Sequence, residues 1–195
     1  MMDRTVDNNE DIGFIKDILQ GDTGSFALLV RKYKNMIFNL AYRMTGNLAE
    51  AEDIIQESFV RAFKGLKQFN LVQGFPNWLY TITINVCRTH NRRNKFKWIS
   101  LSGPAVKKDE HQEWFPEIGD EKDNPEDALD REENEKKVQK IIKMLPFKYR
   151  AIFVLRYIEN KSYQEIASCA ELPLGTVKTY LYRGQKILYE KLKNG

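Results

Sequence analysis

Four carboxylates lie within eight positions in the first half of the chain, and paired carboxylates can do metal or acid–base chemistry. They are Glu50, Glu52, Asp53 and Glu57. Asp53 and Glu57 share a face if this segment is helical, because side chains four residues apart are neighbours on a helix. No histidine is near them in the sequence, and acids on a helix surface usually face solvent or meet a basic partner. The cluster therefore favours a charged contact surface over a metal or catalytic site.

A run of basic residues follows a cluster of aromatic residues, and together they could bind single-stranded nucleic acid. The aromatic residues are Phe69, Phe75, Trp78 and Tyr80, and the basic ones are Arg88, Arg92, Arg93, Lys95 and Lys97. Aromatic rings offer surfaces on which unstacked bases stack, while cations hold the phosphate backbone. Large aromatic side chains are also common in protein cores. Taken alone, this segment fits a nucleic-acid surface and an ordinary core equally well.

The last third of the chain has the spacing of a helix-turn-helix. Ser162 and Glu165 form a capping box that begins a short helix, and Pro173 and Gly175 suit the turn before a second helix. The second helix presents donors that suit phosphates and base edges in the major groove. They are Lys178, Thr179, Tyr182, Arg183 and Lys186. An ordinary helical hairpin with a basic face is the alternative, and the turn chemistry favours DNA binding over it.

The net charge of +4 conceals an uneven distribution along the chain. Residues 107–135 carry 13 acidic against 4 basic side chains, whereas residues 136–195 carry 13 basic against 4 acidic and residues 1–106 carry 14 against 10. Two basic blocks therefore flank an acidic connector with little hydrophobic periodicity. This asymmetry predicts polyanion binding by the two blocks and a flexible linker between them.

The elements that must position these residues are predicted to be helices throughout. Apolar residues recur at helical spacing in both blocks, and Gly46 and Asn47 mark the end of one helix and the start of the next. Residues 81–86 are β-branched and favour a strand on propensity alone. We nevertheless predict a helix there, opened by Pro76, because the apolar residues also fit one helical face. The expected fold is all-α, with two small helical domains joined by an acidic linker.

Composition excludes several classes of protein. Hydrophobic residues make up 42% of the 195 residues, and no apolar run is long enough to span a membrane. The polar N-terminus does not look like a secretory leader, so a cytoplasmic protein is expected. Cys87 and Cys169 have the spacing of neither a disulfide framework nor a zinc site. No glycine-rich phosphate loop is present, and we expect no cofactor, no metal and no enzymatic activity.

Three segments in order resemble the bacterial sigma factors of the extracytoplasmic-function (ECF) subfamily. Residues 53–62, DIIQESFVRA, look like the second conserved-region helix, and residues 75–92 resemble the promoter-melting and minus-10 segment. Residues 145–150 and 162–179 are similar to the region that binds the minus-35 element. The resemblance implies a sigma region 2 domain over residues 1–97, a linker over 98–130, and a sigma region 4 domain with the helix-turn-helix over 131–195.

The resemblance also implies a role for individual residues. Asp53, Gln56, Glu57 and Arg61 would dock on the coiled coil of the largest subunits of core RNA polymerase. A second set would capture and border the melted minus-10 strand: Phe69, Asn70, Phe75, Trp78, Asn85, Arg88, Arg92 and Arg93. A third set would read minus-35 DNA: Thr176, Lys178, Thr179, Tyr182, Arg183 and Lys186.

The predicted function is that of an alternative sigma factor whose partners are core RNA polymerase and promoter DNA. The subfamily also implies an anti-sigma factor, often anchored in the membrane. Two other functions remain open at this point. One is a self-sufficient helix-turn-helix regulator that binds duplex DNA without polymerase, and the other is a metal-dependent nucleic-acid enzyme that uses the carboxylates of residues 50–57.

Overall fold

A computed structural model of the protein describes residues 4–70, 74–100 and 125–193. Over these ranges the chain forms eight α-helices, one short 3₁₀ helix and no strand, which confirms the all-α prediction. The first four α-helices are α1 (Arg4–Leu19), α2 (Ser25–Thr45), α3 (Leu48–Gly65) and α4 (Phe75–Ser100), with the 3₁₀ helix Leu66–Gln68 after α3. The second four are α5 (Pro125–Met144), α6 (Phe147–Tyr157), α7 (Tyr163–Ala170) and α8 (Leu174–Lys193).

The boundary between α2 and α3 is set by two neighbouring residues. Gly46 adopts a left-handed backbone with φ of 72°, and its N–H bonds the carbonyl oxygen of Tyr42. Asn47 then caps α3, because its side-chain oxygen accepts the backbone N–H of Glu50 at 3.0 Å. The predicted stop and start signals are both confirmed here.

Helix α4 runs through the β-branched segment that propensity alone would make a strand. Thr81 and Thr83 donate their hydroxyls to the backbone carbonyls of Asn77 and Leu79, one turn earlier, at 3.1 and 2.9 Å. These bonds satisfy the hydroxyls inside a helix. Leu79 and Ile84 are buried completely. The packing of this apolar face therefore outweighs the β-propensity of the segment.

The second domain contains α5 and, after it, the three helices α6, α7 and α8, which pack on one another. Ser162 and Glu165 form the predicted capping box at the start of α7, and Val177 on α8 packs completely buried in the shared core. Gly184 allows α6 and α8 to approach closely, since a methyl group at that position would overlap the ring of Phe153. The C-terminal half thus folds as the predicted helix-turn-helix.

The two domains pack against each other in this structure. Helix α7 lies along α4, while α5 and α6 lie on α2. Arg150 of α6 donates to the carbonyl oxygen of Met44 at 2.7 Å, and Gln139 of α5 donates to that of Tyr42 at 3.2 Å. Buried residues of both halves form one continuous hydrophobic core.

The helices extend into both ends of the segment predicted as linker. Helix α4 continues to Ser100, and α5 begins at Pro125, where proline suits the first turn of a helix. The remainder of that segment, residues 101–124, lies outside the described residues, so the domain boundaries stay a prediction. None of the described helices combines the length and the apolar character that crossing a membrane would take.

Candidate nucleic-acid and protein interfaces

The acidic residues predicted to meet polymerase lie on one outward face of α3. Asp53, Gln56 and Arg61 are exposed, and Glu57 is partly buried beside them. The regular helix, capped by Asn47, explains why residues four positions apart share this face. The structure therefore brings the whole predicted set together.

Glu57 is held from two sides. Arg61 Nη2 donates to Glu57 Oε1 at 2.5 Å, and His90 Nε2 lies 2.8 Å from Glu57 Oε2. Partial burial alone would raise the pKa of Glu57, but the hydrogen bonds from His90 and Arg61 outweigh that effect, so the pKa lies below its ordinary value of 4.5. The carboxylate therefore stays ionised and ties α3 to α4.

A histidine that is distant from these carboxylates in the sequence is close to one of them in the fold. His90 is 33 positions from Glu57 in the sequence, and the packing of α4 on α3 brings the two side chains together. The pair does not amount to a metal site: over the described ranges, no three histidine, cysteine or acidic side chains are grouped as metal ligands would be.

An open apolar groove of about 710 Å³ lies between α2 and α3, beside the acidic face. Its apolar floor and walls include Phe26, Val30, Val60 and Phe63. Val60 is 51% exposed and Phe63 is 41% exposed. The rim carries positive charge from Arg31, Lys34 and Lys64. Exposed apolar surface with a polar rim is typical of a protein-binding site.

Sequence reasoning missed this groove. Helical periodicity places Phe63 on the same apolar face of α3 as Ala62 and Phe59, and such a face usually packs in the core. The structure buries Ala62 and Phe59 but leaves Phe63 largely open, where it packs only edge-on against Phe26 with the ring centroids 5.0 Å apart. Val60 is the residue in the sequence that could have indicated the groove, because it is apolar but lies outside the face of α3 that helical periodicity predicts to be buried.

The predicted strand-capturing residues after α3 form an aromatic cluster. Phe69 and Trp78 are partly buried with their ring centroids 4.9 Å apart, and Asn70 is exposed next to them. Phe75 is completely buried and contacts both rings. Its predicted contact with a DNA base does not fit this position, because a ring in the core has no face to offer. Phe75 instead supports Phe69 and Trp78 from below.

The polar face of α4 carries the other predicted strand contacts. Arg92 and Arg93 are exposed. Asn85 and Arg88 lie one turn apart, and Arg88 Nη1 donates to Asn85 Oδ1 at 3.0 Å. Both side chains also contact the end of α7. The structure therefore places all four on one helix but leaves only part of that helix open to solvent. The side chains of Lys95 and Lys97 lie outside the described residues.

Helix α8 exposes its basic face fully. Lys178, Thr179, Tyr182, Arg183 and Lys186 are exposed, and Thr176 at its start is partly buried. Tyr182 is 70% exposed, as a side chain that meets another molecule would be. Val177 and Leu181 on the opposite side are buried. Helix α8 thus has one exposed and one buried face. A recognition helix has the same two faces, because its inner face packs on the domain and its outer face enters the major groove.

Comparison with known proteins gives matches on both domains. Residues 29–97 match the family model of Sigma-70 region 2, and residues 135–188 match that of Sigma-70, region 4. The chain is 38% identical over 180 residues to the ECF RNA polymerase sigma factor SigW of Bacillus subtilis (strain 168). The aligned region covers 92% of this chain and 95% of that protein. It is 30% identical over 188 residues to the RNA polymerase sigma-H factor of Pseudomonas aeruginosa (strain PAO1), with 94% of each covered.

A solved structure shows the same fold. The sigma factor RpoE of Bartonella quintana, crystallised in complex with the anti-sigma factor NepR, matches with a TM-score of 0.64 at 19% identity. The match covers 86% of this chain and 96% of that one.

Proposed function

Because the chain belongs to the ECF family of RNA polymerase sigma factors, we propose that three of its surfaces divide the work of starting transcription. The protein is an alternative sigma factor that directs promoter-specific initiation. In our proposal, the outer face of α3 and the adjacent groove bind core RNA polymerase, the aromatic cluster and α4 capture the melted minus-10 strand, and α8 reads the minus-35 duplex. The chain works in the cytoplasm beside the polymerase and catalyses no reaction itself.

The observation that carries this proposal is the exposed groove beside the acidic face of α3. A regulator that only binds duplex DNA needs α8 and has no use for a second, apolar surface. Exposed Val60 and Phe63 provide area that a partner helix can bury, Lys34 in the groove lining provides positive charge, and exposed Asp53 on the same helix as Val60 provides negative charge. Such a surface fits an amphipathic helix with charged edges, as in a coiled coil.

Strand capture is supported by the arrangement around Trp78. Phe69 and Trp78 are only partly buried, so their exposed edges can stack on an unpaired base. Taking a base out of the duplex costs a few kcal/mol, which stacking and polar contacts in a pocket offset. Asn70 supplies polar atoms next to the rings, and Arg92 and Arg93 supply charge for the backbone that follows.

Minus-35 recognition is supported by the helix-turn-helix geometry. The N-terminal half of α8 carries the exposed donors Lys178, Tyr182 and Arg183. The capping box at Ser162 and the buried Val177 hold α7 and α8 in the fixed relation that a recognition helix needs.

Run-off transcription with purified core polymerase tests the proposal against its two alternatives. We expect the chain to bind core enzyme and to give promoter-dependent transcripts from a library of random upstream sequences. Duplex binding without core binding would instead identify a self-sufficient regulator. Metal-dependent cleavage of nucleic acid that Glu57→Ala abolishes would identify an enzyme.

We also propose that an anti-sigma factor regulates this chain, as the structure of RpoE with NepR illustrates for a relative. The groove between α2 and α3 is the surface where such a partner would block polymerase. A single-span membrane protein encoded beside this chain is the natural candidate. Its purified cytosolic part should displace the chain from core enzyme, and failure to compete would exclude that candidate.

A further inference from the structure

Helix α1 buries a carboxylate on the face that packs against α2. Ile15 and Ile18, one and two turns after Asp11, are buried on that face, as the amphipathic pattern of a helix requires. Asp11 itself is only 1% exposed. Because a buried carboxylate costs free energy unless it is paired and hydrogen-bonded, its presence at a core position needs a physical reason.

Two neighbouring residues of α2 bind Asp11. Lys32 Nζ donates to Asp11 Oδ1 at 2.8 Å, and the hydroxyl of Tyr33 donates to Asp11 Oδ2. Tyr33 is also buried. Both carboxylate oxygens are therefore hydrogen-bonded, and the hydroxyl of Tyr33 is held at one defined place inside the first domain.

The ring of Tyr33 connects this contact to the aromatic cluster. Its centroid lies 5.5 Å from that of Phe75. The centroid of Phe75 lies in turn 5.9 Å from that of Phe69 and 5.8 Å from that of Trp78. Since Phe75 is completely buried in a close-packed interior, a shift of the Tyr33 ring also displaces Phe75 and the two rings that rest on it.

Helix α1 supports the cluster by a second route, through the 3₁₀ helix Leu66–Gln68 that it contacts. Leu66 is 2% exposed, and its carbonyl oxygen accepts the backbone N–H of Phe69 at 3.1 Å. The helix that carries Asp11 therefore supports Phe69 both through the ring of Phe75 and through the backbone that precedes Phe69.

We propose that Asp11 is a positioning residue for strand capture. By fixing Tyr33 it holds Phe75, and with it Phe69 and Trp78, in the arrangement that receives an unpaired base. A site is preorganised when neighbouring residues lock the side chains that touch the ligand. An apolar side chain at position 11 could fill the core but could not accept the hydroxyl of Tyr33.

This role rests on the proposed strand contacts of Phe69 and Trp78. It gives α1 a part in DNA binding, although α1 precedes the segment that matches Sigma-70 region 2 and carries none of the residues proposed to touch DNA.

Tyr33→Phe tests the role with little disturbance, because it removes the hydroxyl and keeps the ring that packs on Phe75. In holoenzyme reconstituted from the full-length chain and core polymerase, we measure binding of a short single strand of mixed sequence in which 2-aminopurine replaces adenine. We expect about threefold to tenfold weaker binding, the size of one hydrogen bond. Quenching of the bound 2-aminopurine, which reports stacking on aromatic rings, should also decrease. Asp11→Asn keeps the size of the side chain and removes its charge, and its effect should not add to that of Tyr33→Phe, since both act on one contact.

Two further variants distinguish positioning from a general loss of stability. Asn47→Ala is the matched control, because it removes the cap at the start of α3, whereas Gly65 at the other end of α3 lies against Trp78. Trp78→Ala tests the coupling: if Asp11 acts through the cluster, Tyr33→Phe has no further effect on strand binding in that background. Phe69→Ala takes the place of Trp78→Ala if the latter chain does not bind core polymerase.

The outcomes separate the role of Asp11 from strand capture itself. Weaker strand binding in Tyr33→Phe that is absent from Asn47→Ala and from the Trp78→Ala background supports the positioning role. If Trp78→Ala weakens strand binding and Tyr33→Phe does not, the role of Asp11 is overturned and strand capture by the cluster stands. Unchanged binding in Trp78→Ala overturns strand capture by the cluster, and the role of Asp11 with it. An equal loss in Asn47→Ala, or a loss in Tyr33→Phe that persists in the Trp78→Ala background, shows a general effect on folding and overturns positioning.

Discussion

Helices α8 and α4 carry most of the side chains predicted to meet DNA, and they differ in what already contacts those side chains. Arg183 and Tyr182 on α8 face solvent. Asn85 and Arg88 on α4 donate hydrogen bonds to the second domain. In this structure the proposed duplex contacts of α8 are open, whereas two of the proposed strand contacts of α4 already have hydrogen-bond partners in the second domain.

The groove between α2 and α3 is open to solvent, as the basic face of α8 is. It is open although α1, α4 and the second domain pack around the rest of the first domain. Two of the proposed partner surfaces are thus open, and on the third the second domain already binds Asn85 and Arg88 while Arg92 and Arg93 stay exposed. Variants that change one surface and leave the others intact test this division.

We expect the largest effect from a substitution that disturbs the close packing of α6 against α8. A methyl group at Gly184 would overlap Phe153, with Cζ of the ring only 2.7 Å away. Gly184→Ala should therefore destabilise the domain by about 3 kcal/mol, measured by urea unfolding. Because this domain carries the proposed minus-35 helix and supplies hydrogen-bond partners to Asn85 and Arg88, the variant should lose minus-35 binding and bind single strands more tightly. If it loses minus-35 binding but gains no strand affinity, the contrast between the open face of α8 and the engaged side chains of α4 fails.

Gly175→Ala is the matched control for that variant. Gly175 is also in α8, but a methyl group there meets nothing within 4 Å. Alanine favours the helix over glycine by about 1 kcal/mol, so the stability of this variant should not fall.

A charged side chain introduced into the groove should weaken binding to core polymerase and leave DNA binding unchanged. Val60→Glu places a carboxylate on the apolar wall between α2 and α3, where the side chain is 51% exposed and the fold tolerates it. We expect about tenfold to hundredfold weaker binding to core polymerase in a competition assay, with minus-35 affinity unchanged. Leu28→Glu changes an exposed apolar residue of α2 that does not line the groove, and it is the control. Equal losses in both variants would remove the groove from the interface.

Loss of one donor on α8 should weaken duplex binding about tenfold. Arg183→Ala is the test, read out by fluorescence anisotropy with minus-35 duplex at two salt concentrations. Lys191→Ala removes the same charge two turns further along the helix and should have a much smaller effect. Core binding should be unchanged by either variant, and a drop in core affinity for Arg183→Ala would show that the surfaces are wrongly assigned.

Local signals made most of the helices and the C-terminal fold predictable. Asn47 with Glu50 and Ser162 with Glu165 cap helices over three residues, and Gly46 ends α2 by its own backbone preference. Each of these depends on neighbours in the sequence, so the residues themselves carry the information. The proposed polymerase face of α3 and the proposed DNA face of α8 are predictable in the same way, because a regular helix fixes which side chains share a face.

Contacts between distant segments could not be predicted in this way. Glu57 meets His90 across 33 positions, and Asn85 meets Glu171 across 86. Such pairs depend on how whole helices dock. The same limit applies to Phe63, because periodicity tells which side of α3 is apolar but not how far α2 covers it.

We expect the smallest effect from a substitution at the contact between α4 and α3, where His90 binds Glu57. The pKa of Glu57 is lowered in the folded protein, so its contribution to stability is fully present above the ordinary value of 4.5 and is lost as the pH falls through the lower folded value. Glu57→Gln should therefore cost less than about 1 kcal/mol at neutral pH and lose less stability on acidification than the parent chain.

Unfolding midpoints in urea at neutral pH and below pH 4.5 measure this difference. Asp53→Asn removes an exposed carboxylate from the same helix and is the control. If the acid dependence of Glu57→Gln matches that of the parent, the Glu57–His90 contact does not hold α4 against α3.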